Sequence, residues 1–241
     1  MIVLVTDFGM EGPYVGQMKS VLCQQAPDVP VIDLFSDLPS FDIQAAAYLL
    51  AAYVNEFPED TIFLCVIDPG VGSDRRAALV QADGRWYVGP DNGLFNVIAQ
   101  RAKQVKWWDI VWRPFKLSAS FHGRDLFAPV SAMLTQGKMP DVELQDTSLR
   151  VDFNWPEEWN KVVYIDHFGN VMTGIRAASS SKDAVLEVAG HRLSFARTFS
   201  NVEEGKRLWY ENSNGLVEVS VNQGHAATEL GIVVGDEVAW L

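Results

Sequence analysis

The stretch TIFLCVID at residues 61–68 constrains the fold most strongly. Seven of its positions carry no charge and six are apolar, with no polar alternation to mark a wet face. A strand of that composition belongs in a sheet covered on both sides, the situation of parallel strands packed between helices. The chain before it fits this picture. IVLV (2–5) and VPVIDL (29–34) read as two further strands, and YVGQMKSVLCQQ (14–25) and DIQAAAYLLAAYVNEF (42–57) as the helices between them. Strand-helix-strand alternation predicts an α/β domain with a central, mostly parallel sheet and right-handed crossovers.

Beyond Asp68 the β signal becomes denser. AALVQAD (77–83) and RWYVG (85–89) read as a hairpin around a Gly-Arg turn, and NGLFNVIAQRA (92–102) and GRDLFAPVSAMLTQG (123–137) as helices. RVDFNWPEEWN mixes acids, tryptophans and a proline, which predicts a linker over 151–160 between a domain at 1–150 and another at 161–241. In that second part KVVYID, VMTGI, AVLEVAG, LVEVSVN and DEVAWL are short strand candidates separated by Gly or Asn turns. Their spacing predicts a smaller all-β, barrel-like domain.

Composition narrows the partners. Of 241 residues, 48% are hydrophobic and 21% charged, which is globular composition. A net charge of −12 argues against nucleic acid and against an anionic membrane surface. The longest mainly apolar run, 43–54, is too short to span a bilayer, and residues 1–5 lack the charged start of a signal peptide. Cys23 and Cys65 both sit in apolar segments, and the expectation is two buried free thiols in a reducing cytoplasm. Neither the cysteines nor the four histidines have metal-site spacing, so no metal is expected.

Asp7, Asp68 and Asp166 each end a strand and each precede a glycine-containing loop: TDFG, DPGVGS and DHFGN. Ligands of open α/β sheets bind outside the carboxyl ends of the strands. A carboxylate there can grip both hydroxyls of a ribose, or it can merely cap the next helix. The TDFG triplet has a kinase look, but six residues precede Asp7 in this sequence, and no ATP-binding lobe is expected upstream. DPGVGSDRR (68–76) makes a tight loop without the Gly-Lys-Ser/Thr ending of a triphosphate site. Its Asp68 and Arg75 are either a surface ion pair or an oriented functional pair. His122 precedes a helix opening Gly-Arg-Asp, as a packed, solvent-facing or catalytic residue. GPDNGLF (89–95) reads as a Pro/Gly turn before a helix.

Taken together and in order, TDFG…PYVGQMKSVL, DLPSFDIQAAAYLL, VIDPGVGSDRR, VGPDNGLF, SFHGRDLFAPVSA, YIDHFGNVMTGI and NSNGLVEVSVNQGHAA resemble the S-adenosyl-L-methionine hydroxide adenosyltransferases. These are relatives of the fluorinating and chlorinating enzymes that cleave the same substrate. The resemblance implies conversion of S-adenosylmethionine and water to adenosine and methionine, with no cofactor, in a homotrimer whose sites lie between subunits. It implies that Asp68, Arg75 and His122 position the water. On physical grounds, the Arg75 charge beside Asp68 makes His122 the expected proton acceptor or relay, with Asp68 and Arg75 orienting the water. The resemblance further implies a ribose contact for Asp7 and a pocket-wall role for Phe41. Asp166 is expected at the methionine amino group, Phe168 and Asn170 at adenine, and Ser213 at the methionine carboxylate. Residues 218–221, with Glu218 and Val221 at the ends, are expected on the adenine side, largely through backbone contacts. Halogenating relatives carry Tyr-Ser or Tyr-Gly in place of His-Gly and an inserted loop after the DPGVG position; this chain has neither. A non-catalytic S-adenosylmethionine or adenosine binder is the other reading. Phe35 and Ser36 depart from the Thr-His of many members, and Phe41 stands where many hydrolases have Gln.

Overall fold

The computed structural model describes residues 1–152 and 154–241; Phe153, in the expected linker, lies outside the described residues. The chain divides into two compact units, Met1–Leu50 with Val54–Trp155, and Ala51–Tyr53 with Pro156–Leu241.

In the first unit β1 (Ile2–Thr6), β2 (Val31–Phe35) and β3 (Ile62–Val66) alternate with α1 (Tyr14–Gln25) and α2 (Ile43–Tyr53). β4 (Ala77–Ala82) and β5 (Arg85–Pro90) form a hairpin. They are followed by α3 (Asn96–Arg101), β6 (Val105–Ile110), α4 (Ala128–Thr135) and β7 (Val142–Gln145). All five residues of β1 and of β3 are buried, as their unbroken apolar runs require. α1 meets the core through Met18 and Leu22, four residues apart on one face. Asp42 starts α2 by accepting the Ala45 amide at 2.9 Å, an N-cap contribution of about 1 kcal/mol.

The seven strands are ordered β2-β1-β3-β5-β4-β6-β7. The first four run parallel, while β5, β4, β6 and β7 pair antiparallel. The sheet is thus mixed, a correction to the mostly parallel expectation. Its cause is the hairpin, which reverses direction, together with β6 and β7, whose charged and aromatic sequences carry no clear strand period. The hairpin turn is Asp83-Gly84 rather than Gly-Arg. Both turn residues have positive φ, 44° and 82°, the twist that two-residue hairpins favour.

The tryptophans in and just after β6 are packing residues. Trp107 is buried, Trp108 stacks on Trp86 with centroids 5.8 Å apart, and Trp112 packs on the core beneath. The expected linker is held closely at its start. The Asp152 carbonyl accepts from Asn96 and Gln100, and Trp155 stacks on Tyr48. Cys65 is buried in β3, but Cys23 is exposed, contrary to expectation, because it lies off the Met18–Leu22 stripe of α1. Both thiols are free.

The second unit consists of β8 (Trp159–Ile165), β9 (Val171–Arg176), β10 (Leu186–Val188), β11 (His191–Leu193), β12 (Arg207–Glu211), β13 (Leu216–Val221), the short helix α5 (Ala226–Leu230) and β14 (Val238–Trp240). Its strands divide between two antiparallel sheets, β12-β13-β9-β8 and β11-β10-β14. β8 therefore begins inside the expected linker. Val162, Val171, Ile175, Trp209, Val219 and Val221 are among the residues of its buried core. No helix among the described residues is long and apolar enough to cross a membrane.

Trp107 offers a test of the packing account. Its indole N–H is buried without a hydrogen-bond partner among the described residues. Trp107→Ala should cost about 3–5 kcal/mol. Trp107→Phe, which keeps most of the ring and removes the orphaned donor, should cost less than about 1.5 kcal/mol by urea denaturation.

Candidate active site

A cavity of about 350 Å³ opens at the carboxyl ends of β1 and β3. Asp7, Phe41, Asp68, Phe121 and His122 are among the residues lining it. The volume sits at the lower end of small-molecule sites, roughly 300–1,000 Å³. Its position follows from the parallel half of the sheet, whose strand ends deliver both aspartates to one place.

Asp7 immediately follows β1 and does not cap a helix. α1 begins at Tyr14 with Pro13 in the cap position and no side-chain cap. Instead, Oδ2 of Asp7 accepts the Phe41 amide at 3.0 Å. Phe41 has a φ of 64°, a left-handed backbone rare for an aromatic residue. Strain of this kind costs on the order of 1–3 kcal/mol and gathers at functional sites. Burial raises the Asp7 pKa, the Phe41 amide opposes that rise, and the Asp68 charge adds to it. Phe35 and Ser36, the residues that depart from the usual pattern, are buried and are not among the lining residues. The Ser36 carbonyl accepts the Gly9 amide at 2.6 Å and so fixes the TDFG turn from below.

Asp68 and Arg75 form a bidentate pair, Nε to Oδ1 at 3.0 Å and Nη2 to Oδ2. Their side chains are 4% and 8% exposed, so this is not a surface ion pair. The loop between them is tied internally: Ser73 Oγ donates to the Gly70 carbonyl at 2.6 Å and accepts the Arg75 amide at 3.2 Å. Gly72 is needed where it stands. Its φ is 81°, and a Cβ there would lie 2.5 Å from the Ala119 carbonyl oxygen. That contact brings the 68–76 loop against the segment carrying His122.

Nη2 of Arg75 also lies 3.3 Å from Nδ1 of His122. A guanidinium has donors only, so Nδ1 is the acceptor and the neutral ring carries its proton on Nε2. Burial lowers the His122 pKa, as does the Arg75 charge, with Asp68 opposing. The ring is therefore held neutral. The structure brings Asp68, His122, Asp7 and Phe41 together around one cavity, with Arg75 bonded to Asp68 and beside His122.

The remaining expected site residues lie in the second unit. Asp166 accepts the Phe168 and Asn170 amides at 2.9 and 2.8 Å, and its other oxygen accepts Asn170 Nδ2 at 2.9 Å. Ser220 donates to Asn170 Oδ1. These bonds shape a tight DHFGN turn that leaves the Phe168 ring 73% exposed. Ser213 is exposed on the turn between β12 and β13, where its hydroxyl donates to Asn214 at 3.0 Å. Glu218 is buried, accepting from Tyr210 and, at 2.8 Å, from Asn212 Nδ2. Asn212 Oδ1 in turn accepts the Asn214 and Leu216 amides at 3.0 Å. Glu218 thus braces the Ser213 turn from inside, and Val221 is packed in the core.

Burial raises the Glu218 pKa above its ordinary value of 4.5. The folded state then holds the Glu218 proton more tightly than the unfolded chain. That stabilisation is complete below pH 4.5 and is lost as pH rises through the higher folded value. Glu218→Gln removes the titration. The stability of the native protein minus that of the variant should therefore fall as pH rises above about 4.5, read from urea denaturation at each pH.

The chain matches the model of the SAM hydroxide adenosyltransferase N-terminal domain over residues 2–143, and that of the C-terminal domain over residues 160–239. It is 39% identical to the (R)-S-adenosyl-L-methionine hydrolase of Thermus thermophilus, with 100% of this chain and 99% of that protein covered. It is 25% identical to a fluorinase of Actinopolyspora mzabensis, over 99% of this chain and 96% of the other. Among solved structures, an uncharacterized conserved protein from Thermotoga maritima superposes with a TM-score of 0.89 at 30% identity, covering 100% of both chains. The chain belongs to the SAM hydroxide adenosyltransferase family.

Proposed function

We infer that the protein hydrolyses S-adenosyl-L-methionine to adenosine and L-methionine. The observation that carries this reading is the convergence of Asp68 and His122, linked by Arg75, on the cavity that Asp7 also lines. The substrate's ribose diol rests on Asp7, and Phe41 walls the pocket. Water attacks C5′ in line: its oxygen forms the new bond to carbon, and the C5′–S bond breaks with both electrons passing to sulfur. The sulfonium becomes a neutral thioether, and one proton of the water must leave. The reaction is redox-neutral and requires no cofactor.

The hydrogen-bond geometry favours Asp68 over His122 as the proton acceptor. Nδ1 of His122 faces an Arg75 donor, and Nε2 bears hydrogen, so the neutral ring offers the water a donor and no free acceptor. Asp68 uses one lone pair of each oxygen on Arg75 and retains others for the water. Asp68 is thus the acceptor, while His122 and Arg75 fix the water's direction. Positioning at roughly 3–3.5 Å from the reacting carbon contributes the entropic share of the rate. As a lone pair moves toward a cation, charge cancels, which a desolvated cavity favours.

Water is preferred to halide because of the same carboxylates. Asp68 is already matched by Arg75, and Asp7 adds a second acidic group to the cavity. An anionic nucleophile entering there would face repulsion that water does not. The methionine and adenine ends are assigned to Asp166, Phe168, Asn170 and Ser213. The complete site forms in a cytoplasmic homotrimer, where the second unit of one subunit meets the first unit of the next; the support is the ordered motif set and the exposure of the Phe168 ring.

Incubation with S-adenosylmethionine in chloride should release adenosine and methionine and no 5′-chloroadenosine, measured by chromatography. Asp68→Asn should lower kcat by about 10²–10⁴-fold, and more than His122→Ala does; the reverse ranking would return the proton to His122. The His122 pKa is depressed, so protonation of Nδ1 against Arg75 should reduce kcat only below about pH 6.5. An acid limb above that value would contradict the assignment. Mixing inactive Asp68→Asn and Asp166→Ala chains should restore part of the activity, because mixed trimers contain intact sites.

A further inference from the structure

The GPDNGLF segment supplies no residue to the cavity lining, yet it holds both ends of the loop that does. Asn92 Nδ2 donates to the carbonyl of Ile67 at 2.9 Å, and Ile67 immediately precedes Asp68. The Asp91 amide donates at 2.9 Å to the carbonyl of Arg76, immediately after Arg75. That same carbonyl accepts Nη1 of Arg75 at 2.5 Å. One short connection between β5 and α3 therefore clamps the 68–75 loop at its entrance and its exit.

The clamp is itself anchored. The Asp91 carboxylate meets Arg150 Nη1 at 3.2 Å, and Arg150 Nη2 reaches Asp109 at 2.7 Å and Gln145 at 2.9 Å. These charged side chains are only 10–14% exposed, so water does little to relax them. Asn92 Oδ1 accepts the Leu94 amide at 3.3 Å, which fixes the amide's orientation and points the NH₂ group at Ile67. Rotation of Asn92 would cost both bonds and leave the buried Ile67 carbonyl without that donor.

We propose that Asn92, supported by Asp91 and Arg150, is a positioning residue that sets the placement of Asp68 and Arg75 against His122. Asn92 acts through the Ile67 carbonyl. Asp91 acts through the Arg76 carbonyl, where Arg75 is also tied. A displacement of about 1 Å in such a set costs on the order of 10²-fold in rate, although neither residue touches substrate. The proposal rests on the assignment of Asp68, Arg75 and His122 as the reacting set, so its test includes a readout that needs no turnover.

The test uses the full-length protein with Asn92→Ala and Asn92→Asp. Asn92→Ala should lower kcat about 10–100-fold while adenosine affinity, by calorimetry, stays within about threefold. In the substrate-free protein, the NMR titration midpoint of the His122 ring, assigned with His122→Ala, should move upward as Arg75 withdraws. Asn92→Asp should be as impaired as Asn92→Ala at neutral pH. On acidification its carboxyl gains an O–H able to donate to Ile67, so its rate relative to Asn92→Ala should rise. Unchanged kcat and an unmoved His122 titration would overturn the proposal. So would a kcat loss with an unmoved titration and a flat Asp-to-Ala ratio, since that pattern marks general destabilisation. If the native protein releases no adenosine, the hydrolase reading fails, and the His122 titration alone still decides whether Asn92 positions the set.

Discussion

The buried pair of Asp68 and Arg75 is the contact on which the site depends. Two nearly solvent-free charges are tolerated because the guanidinium fork matches both carboxylate oxygens and spends its remaining donors on the Arg76 carbonyl and His122 Nδ1. Removing one member of a buried pair typically costs about 3–5 kcal/mol, because it strands the other charge. The same bonds settle chemistry. They hold the carboxylate orientation, fix the imidazole tautomer and keep the ring neutral. One arginine thus links the loop's fold to the direction in which a proton can travel.

The parallel half of the sheet was legible in the sequence because its strands are buried on both faces and carry uninterrupted apolar runs. α1 was legible for the matching reason, an apolar stripe of Met18 and Leu22. β6 was not, since Lys106, Trp107, Trp108 and Asp109 alternate neither as a half-wet strand nor as a helix. Its pairing with β4 makes the sheet mixed. The short strands β11 and β12 were likewise invisible among the polar segments around them.

Of the site, the residue types stood in recognisable blocks, and the structure gathers Asp7, Asp68 and His122 around one cavity, with Arg75 paired to Asp68. Three features lay beyond sequence reasoning. The left-handed backbone of Phe41 accompanies the hydrogen bond that its N–H donates to Asp7, 34 residues away in the chain. The Asn92–Ile67 bond joins a side chain to a carbonyl, and a carbonyl leaves no trace in residue identity. The Glu218 side chain is buried, with both oxygens engaged by Tyr210 and Asn212, and braces the Ser213 turn rather than facing outward. Long-range side-chain-to-backbone bonds share no periodicity, so only the folded chain exhibits them.

The two aspartates in one small cavity have a thermodynamic consequence for traffic through it. With Arg75 balancing Asp68, the ionised Asp7 leaves the cavity with a negative excess. A sulfonium satisfies that excess on arrival. Under the proposed mechanism the positive charge passes from sulfur to the proton that Asp68 takes, and neutral adenosine departs from a cavity with no electrostatic hold on it. Hydrolysis itself thereby becomes the step that turns a bound guest into an expelled one.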